Sequence, residues 1–533
     1  MKTLLHQYFD EMLEFFPSFA SYMGDRSSDD KYEISISPSF QKRWLKVVKH
    51  YMKKVDDSMA TSKGGKKSET RTYVDIEIET LRYLLKMTLE GCKFQFHLIP
   101  ISSFVNPVLD FSFMERTMYP FNVDNIRLRH ACYIKFFKQC KRNMKIGMKK
   151  GYVIPKVICE RVINDIENFI SNKEYITRDT PELQVFFEAK YKPVIQSFLT
   201  FIKDEYFHKC QDSISLCDLP KGKEMYRFLV KDNTTLQISP EEVHALGLSE
   251  VKRIRGEIKR LIPDIYGNEG ANSKMNILKF MTMVQTNPKN LMKDPQMIFE
   301  AYRKKQVELR RDLIPKFFHD QVTPYEIHRV PKMLEASSAG AFYYPGNKTR
   351  PGKFYINLRD VKENPKFIIE TLAIHEGEPG HHYQFQYMID KGLPLYKIFC
   401  HEGTAFVEGW ALYAESLSQS TDPLTKFGRL TYEIFRAVRC VVDTGIHFYG
   451  WTYKEALDYM VRNVALTKSE LETEILRYIC IPGQAVAYKV GERFWYQERA
   501  NFLERNPAKT IKDYHEYVLA NGVLPLCVLK QLN

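Results

Sequence analysis

The sequence predicts a mainly α-helical protein with a small β-sheet near the middle of the chain. Three observations carry that prediction. Apolar residues recur at helical intervals from the first residues onward. Helix-start signals stand where several of those patterns begin. Strand-type alternation is rare, and its best instance is "KFYINLRD", residues 353–360, where Phe354, Ile356 and Leu358 alternate with Tyr355 and Asn357.

Taken in order, "MKTLLHQYFDEMLEFFPSF" is apolar at Leu4, Leu5, Tyr8, Phe9, Met12, Leu13 and Phe16, one stripe of an amphipathic helix. Asp10, Glu11 and Glu14 interrupt it, so a signal peptide is not expected. "DDSMATSKGGKKSETRT", residues 56–72, is small, polar and glycine-bearing, and is expected to be a mobile loop between helices. "KFFKQCKRNMKIGMKKG", residues 135–151, is the densest basic run. Its apolar residues fall at helical intervals, which predicts a helix with a solvated basic face. In "SPEEVHALGLSEVKRI", Ser239 is an N-cap, Pro240 takes the first helical position and acids fill the first turn. "WTYKEALDYMVRNV" pairs Thr452 with Glu455 as a capping box. There is no internal repeat and no clear linker, so residues 1–533 are expected to form a single domain.

Composition narrows the function. Hydrophobic content of 44% and charge of 27% are ordinary for a soluble globular protein, and no run of 18 apolar residues predicts a membrane span. The 32 Tyr and 35 Phe argue against extensive disorder. The net charge of +13 is a mild excess on 533 residues, and the basic residues form no aromatic-interleaved binding motif, so no nucleic-acid partner is expected. Ten scattered cysteines without a C-x-x-C fit a reduced, cytoplasmic protein.

The chemistry lies in residues 371–491. "HEGEPGHHYQ", residues 375–384, opens like a zinc-protease helix and then breaks the spacing. A catalytic zinc needs three protein ligands and one open position. His375 is a ligand candidate and Glu376 a general-base candidate. On an unbroken helix His381 is about 120° off the face of His375, and His382 is roughly 10 Å further along the axis. Pro379 and Gly380 are the residues that break or bulge a helix, and a bulge there would return one of the two histidines. Downstream, "GTAFVEGWALYAESL" places Glu408 and Glu415 on one helix face. Glu408 is a third ligand candidate, and Glu415 a partner that orients a histidine.

These stretches resemble the DUF885 family, identified as zincin-like metallopeptidases with an HE-x-x-PGHH-x-Q pattern followed by an EGWALY-x-E helix. "HEGEPGHHYQ" and "FVEGWALYAE" match both. The likeness extends through "FPSFASYMGD", "RPGKFYINLRD", "RAVRCVVDTGIHFYGWTYKEA", "EILRYICIPGQAVAYKVGE" and "YHEYVLANGVLPL", nearly the full chain. The resemblance implies two helical lobes around a deep cleft, with a small sheet beside the metal-binding helix. It implies one Zn2+ per chain held by His375, His381 and Glu408. His381 is favoured over His382 because related zincins place a glycine before the second ligand, and Gly380 precedes His381. The same nitrogen and oxygen donors also suit cobalt or manganese.

Around such a metal, Arg477 and Tyr478 are candidates to stabilise an oxyanion or anchor a carboxylate. Asp443 and His447, four apart on one helix face, are candidates to orient a ligand or assist proton transfer. Gln484 and Tyr488 lie close by in sequence. Tyr343, Tyr344 and Asn357 flank the strand, and an edge strand beside a zincin helix binds substrate backbone. The expected function is a zinc-dependent peptidase acting on short or flexible peptides. The rival readings are a zinc hydrolase of a non-peptide amide and a non-catalytic metal- or nucleic-acid-binding protein.

Overall fold

Helices make up most of the chain, and they begin where the sequence signals place them. The computed structural model describes residues 2–532 except 63–72, 105, 107, 109–121, 172–180, 273–275, 333–334, 336–339, 348–349 and 402. Two compact units form. One comprises Met1–Phe228, Ile446–Tyr453 and Glu474–Pro482, the other Leu229–Gly445, Lys454–Thr473 and Gly483–Asn533.

In the first unit, helix α1 (Leu4–Phe15) starts at Thr3, whose hydroxyl accepts the N–H of His6. Its expected stripe buries Leu5, Tyr8 and Phe9. Phe15 and Phe16 meet Phe40 and Trp44 of α2 (Pro38–Ser62) at centroid distances of 5.2–5.6 Å. Residues 56–62, expected in a loop, are the last two turns of α2. Val48, Tyr51 and Val55 are buried and half-buried Met59 continues their stripe, so packing holds the helix past the polar residues. Residues 63–72 of that stretch lie outside the described residues. Helix α3 spans Tyr73–Gly91 and packs on α1 and α2.

The basic run lies in α4 (Val123–Lys150). Phe136, Phe137, Cys140 and Met144 are buried while Lys135, Lys138, Arg142 and Lys149 face solvent. Gly151, with φ 78°, ends this helix in the left-handed region that glycine favours.

In the second unit, α5 (Pro240–Arg260) opens with a capping box: the Glu242 N–H donates to Ser239 Oγ at 3.2 Å, and the Ser239 N–H donates to Glu242 Oε2 at 2.8 Å. Helix α6 (Pro295–Glu308) precedes a sheet of β1 (Glu326–Arg329), β2 (Ala341–Tyr344) and β3 (Lys353–Ile356). The order is β1-β3-β2, with β1 parallel and β2 antiparallel to β3. Phe354 and Ile356 of β3 are fully buried, and Tyr302 of α6 meets Phe354 edge-on at 5.2 Å.

The expected strand therefore exists but ends at Ile356. There the Asn357 side chain accepts the N–H of Arg359, a local turn that competes with the ladder. The strand is also central rather than an edge, because β1 and β2 take both of its sides; the edges are β1 and β2.

The remaining elements that matter here are α7 (His381–Asp390), α8 (Thr404–Glu415), α9 (Pro423–His447), α10 (Ala487–Arg505) and α11 (Ile511–Leu519). Helices α8 and α10 approach most closely at Gly409 and Gly491, where a Cβ on either glycine would strike the opposite backbone. All ten cysteines are free, and no helix among the described residues is long and apolar enough to cross a membrane.

Candidate metal centre

The helix entering the centre, Ile369–Leu372, widens into a π-turn at Ala373–Gly377. The chain then turns through Glu378, Pro379 and Gly380 and restarts as α7 at His381. The Gly380 N–H donates to the Ile374 carbonyl at 2.9 Å, so the inserted residues fold back against the π-turn. Gly380 has φ −76°, which any residue adopts; its need for glycine is close packing. A Cβ there would collide with the carbonyl oxygens of His375 and Ile374. Trp410 of α8 fixes the turn from the other side, donating from Nε1 to the Pro379 carbonyl at 2.9 Å.

This turn brings His381 to His375, with ring centroids 4.8 Å apart. Glu408 Oε2 lies 3.6 Å from His375 Nε2 and 3.4 Å from His381 Nε2. The three donor atoms lie within 4.8 Å of one another, as atoms sharing one cation do. Glu408 Oε2 is shielded from solvent and makes no hydrogen bond. A buried carboxylate oxygen in that condition is costly unless a cation satisfies it.

The His375 Nδ1–H donates to Glu415 Oε1 at 2.7 Å, which turns Nε2 toward Glu408. Arg436 Nη2 stands 3.8 Å from the same Glu415 oxygen, and its guanidinium lies 4.6 Å over the Tyr432 ring. Burial pulls the His375 imidazole down, but Glu408 and Glu415 outweigh it and carry its pKa up to about 9. Glu408 is held well below the usual carboxylate range: burial pushes it up, and the two histidines pull it down further. Both directions mark a place where positive charge is stabilised. The donor set, two imidazole nitrogens and one carboxylate with a carboxylate behind one histidine, fits zinc.

His382 faces elsewhere. Its Nε2–H donates to the Thr323 carbonyl at 2.8 Å and its Nδ1 accepts from the Tyr343 hydroxyl at 3.0 Å. Both ring nitrogens are engaged, and burial above all lowers its pKa to about 3. His381, not His382, shares the centre with His375. Tyr343 thus braces the turn from β2.

A family model described as "Bacterial protein of unknown function (DUF885)" matches residues 17–532. The chain belongs to the DUF885 family. No curated protein matches it. Its fold is shared with a solved protein from Colwellia psychrerythraea called "the putative lipoprotein", at TM-score 0.88 and 23% identity over 99% of this chain and 97% of that one. A second, "a putative lipoprotein of unknown function" from Shewanella oneidensis, superposes at TM-score 0.78 with 16% identity, covering 99% and 98%.

In this DUF885 member Glu376 follows His375 within the π-turn and is buried. Tyr302 and Tyr432 are both pushed above the usual phenol range, first by burial, with the charge of Glu376 adding to it. Glu378 accepts from Arg310; burial raises its pKa to about 7, against the pull of that guanidinium.

Other expected residues have different surroundings. His447 is buried in the first unit, where Nδ1 accepts from the Leu216 N–H at 3.1 Å and Nε2 donates to the Tyr478 carbonyl at 2.9 Å. With both nitrogens bound to backbone and its pKa lowered by burial to about 4, it is a structural residue rather than a proton shuttle. Arg477, 3.8 Å from Glu474, and fully buried Tyr478 also belong to the first unit.

Asp443 accepts the N–H of Gly483 at 3.0 Å, which fixes the turn before α10. The Asn357 amide is buried and donates to the Glu335 carbonyl at 2.8 Å, so it supports the strand end. Tyr488 lies under Arg439, with the guanidinium 4.7 Å from its ring, and Gln484 stands in the turn before α10. Tyr344 packs under Arg350 at 4.0 Å.

Sequence reasoning missed Arg436, Trp410, Arg310 and Gln384. Trp410 and Gln384 fall inside the motifs already quoted. Arg436 opens the quoted stretch "RAVRCVVDTGIH" but was not singled out there, and Arg310 is far away in sequence, with nothing in its local pattern to mark it.

Proposed function

We propose that this chain is a zincin-like zinc hydrolase that cleaves peptide bonds in short or flexible peptides. The observation that carries the reading is the convergence of His375 Nε2, His381 Nε2 and the unbonded Glu408 Oε2, with the charge of buried Glu376 acting on His375. One Zn2+ held by His375, His381 and Glu408 would supply Lewis-acid activation of water and carbonyl.

The chain's own residues do the rest. Glu376 accepts a proton at its carboxylate and returns it to the leaving amine. Glu415 holds the proton on His375 Nδ1, so that Nε2 keeps its lone pair for the metal. Arg436 stands behind Glu415, 3.8 Å from the oxygen that accepts from His375. Trp410 and the glycine at 380 keep the two histidines at the required separation. Ten free thiols favour a reducing compartment such as the cytoplasm.

The test separates metal binding from turnover. Glu376→Gln keeps its zinc and its fold, and loses nearly all hydrolysis of a mixed peptide library followed by mass spectrometry. Wild-type protein loaded with zinc that cleaves no peptide ends the peptidase reading. Normal turnover in Glu376→Gln removes Glu376 as the base.

A further inference from the structure

The two histidines of the centre are supported unequally. His375 Nδ1 has Glu415 at 2.7 Å. His381 turns Nε2 toward Glu408, so Nδ1 carries the proton. That Nδ1 is buried and donates to nothing. A ligating histidine usually gives this hydrogen to a carboxylate, a carbonyl or water, which fixes both tautomer and ring orientation.

One turn along α7 stands Gln384, whose side chain is fully buried. Neither its Oε1 nor its Nε2 has a hydrogen-bond partner. Two buried, unbonded polar groups on one helix are expensive unless they find partners. They stand three residues apart, the spacing at which helical side chains are neighbours. The Cα–Cβ bond of Gln384 tilts toward the helix N-terminus, so its carboxamide leans over the turn that carries His381.

We infer that Gln384 is the positioning residue for His381: its Oε1 accepts the Nδ1–H of the imidazole when Nε2 binds the metal. The inference rests on the zinc reading above. It makes the centre a pair of differently supported ligands, with a carboxylate behind His375 and a neutral amide behind His381. A neutral partner suits that place, because the cluster already contains Glu376, Glu408 and Glu415 against Arg436 alone. A fourth carboxylate there would add to the charge that a single dication has to balance.

The experiment titrates zinc into metal-free full-length protein in competition with a chromogenic chelator, alongside melting of the metal-free forms. Gln384→Met keeps the shape and removes the amide. Its zinc affinity falls about 10–100-fold, and its metal-free melting temperature stays level or rises, because two unbonded buried atoms are gone. Gln384→Glu retains an acceptor and restores affinity to the wild-type range. Gln384→Met binding zinc as tightly as wild type overturns the inference and leaves the centre standing. Equal losses in Gln384→Met and Gln384→Glu, with lowered metal-free melting in both, mean a packing role and also overturn it. Wild-type protein that binds no zinc removes the centre itself, and this inference with it.

Discussion

Among the described residues, the second unit holds two clusters of three metal-type side chains, and they have opposite charge design. Glu250, Glu433 and Glu492 bring their carboxylates together as closely as His375, His381 and Glu408 bring their donors. The first of these clusters is already filled. Lys489, fully buried, donates to Glu492 and lies 3.1 Å from Glu433 and 3.5 Å from Glu250. Arg253 binds both Glu250 and Glu433, and Arg429 binds Glu433 at 2.8 Å. Three carboxylates face three cations supplied by the chain.

At His375, His381 and Glu408 no ammonium or guanidinium among the described residues pairs with the donor atoms themselves; Arg436 stops at Glu415, behind His375. The difference teaches what to look for in an acidic cluster. Proximity of donors is common, and a missing internal cation is what points to an external one. The clusters also draw on adjacent residues of the same helices. Gly409 of α8, which follows Glu408, meets Gly491 and the backbone nitrogen of Glu492 of α10 at the close glycine contact, so one helix pair helps to build both.

The sharpest way to break the comparison is to remove the internal cation. Lys489→Met leaves three buried carboxylates facing two arginines. Losing one partner of such a network costs about 3–5 kcal/mol, read as a shift in the urea midpoint, while the folded variant still takes up one zinc. A variant as stable as wild type would mean that the lysine is dispensable to the carboxylates. A folded variant that has lost zinc would mean that the clusters are not independent.

A smaller effect tests the turn. Gly380→Ala adds only a Cβ, but that atom meets two carbonyl oxygens of the π-turn. The turn must open, and zinc affinity should fall by about tenfold, or 1.4 kcal/mol, without any ligand being changed. Unaltered affinity would show that the close packing at Gly380 does not set the histidine separation.

How far the sequence was legible follows the same division. The candidate centre could be read because a motif of ten residues, "HEGEPGHHYQ", contains both histidines that converge with Glu408, the proposed base and the residues that make the turn. The helix of Glu408 was equally local, and so was the cap at Ser239. The choice between His381 and His382 was not a property of spacing. It depends on Thr323 and Tyr343 engaging both nitrogens of His382, contacts made across 59 and 39 residues. His447 misled for the converse reason: its backbone partners at Leu216 and Tyr478 have no sequence signature. The Lys489 network was invisible, since Glu250, Glu433 and Glu492 lie on three helices and each reads alone as an ordinary helical glutamate. The strand at residues 353–356 showed in its alternation, but its central place depends on two partners that the pattern does not name.

The central claim is that His375, His381 and Glu408, and not His382, form a zinc centre. Elemental analysis of the purified, dialysed protein and two variants tests it most directly. The account predicts one zinc per chain in wild type, none in His381→Ala, and one in His382→Ala, which loses only the brace to Thr323 and Tyr343. Zinc retained in His381→Ala, or lost from a folded His382→Ala, would contradict it.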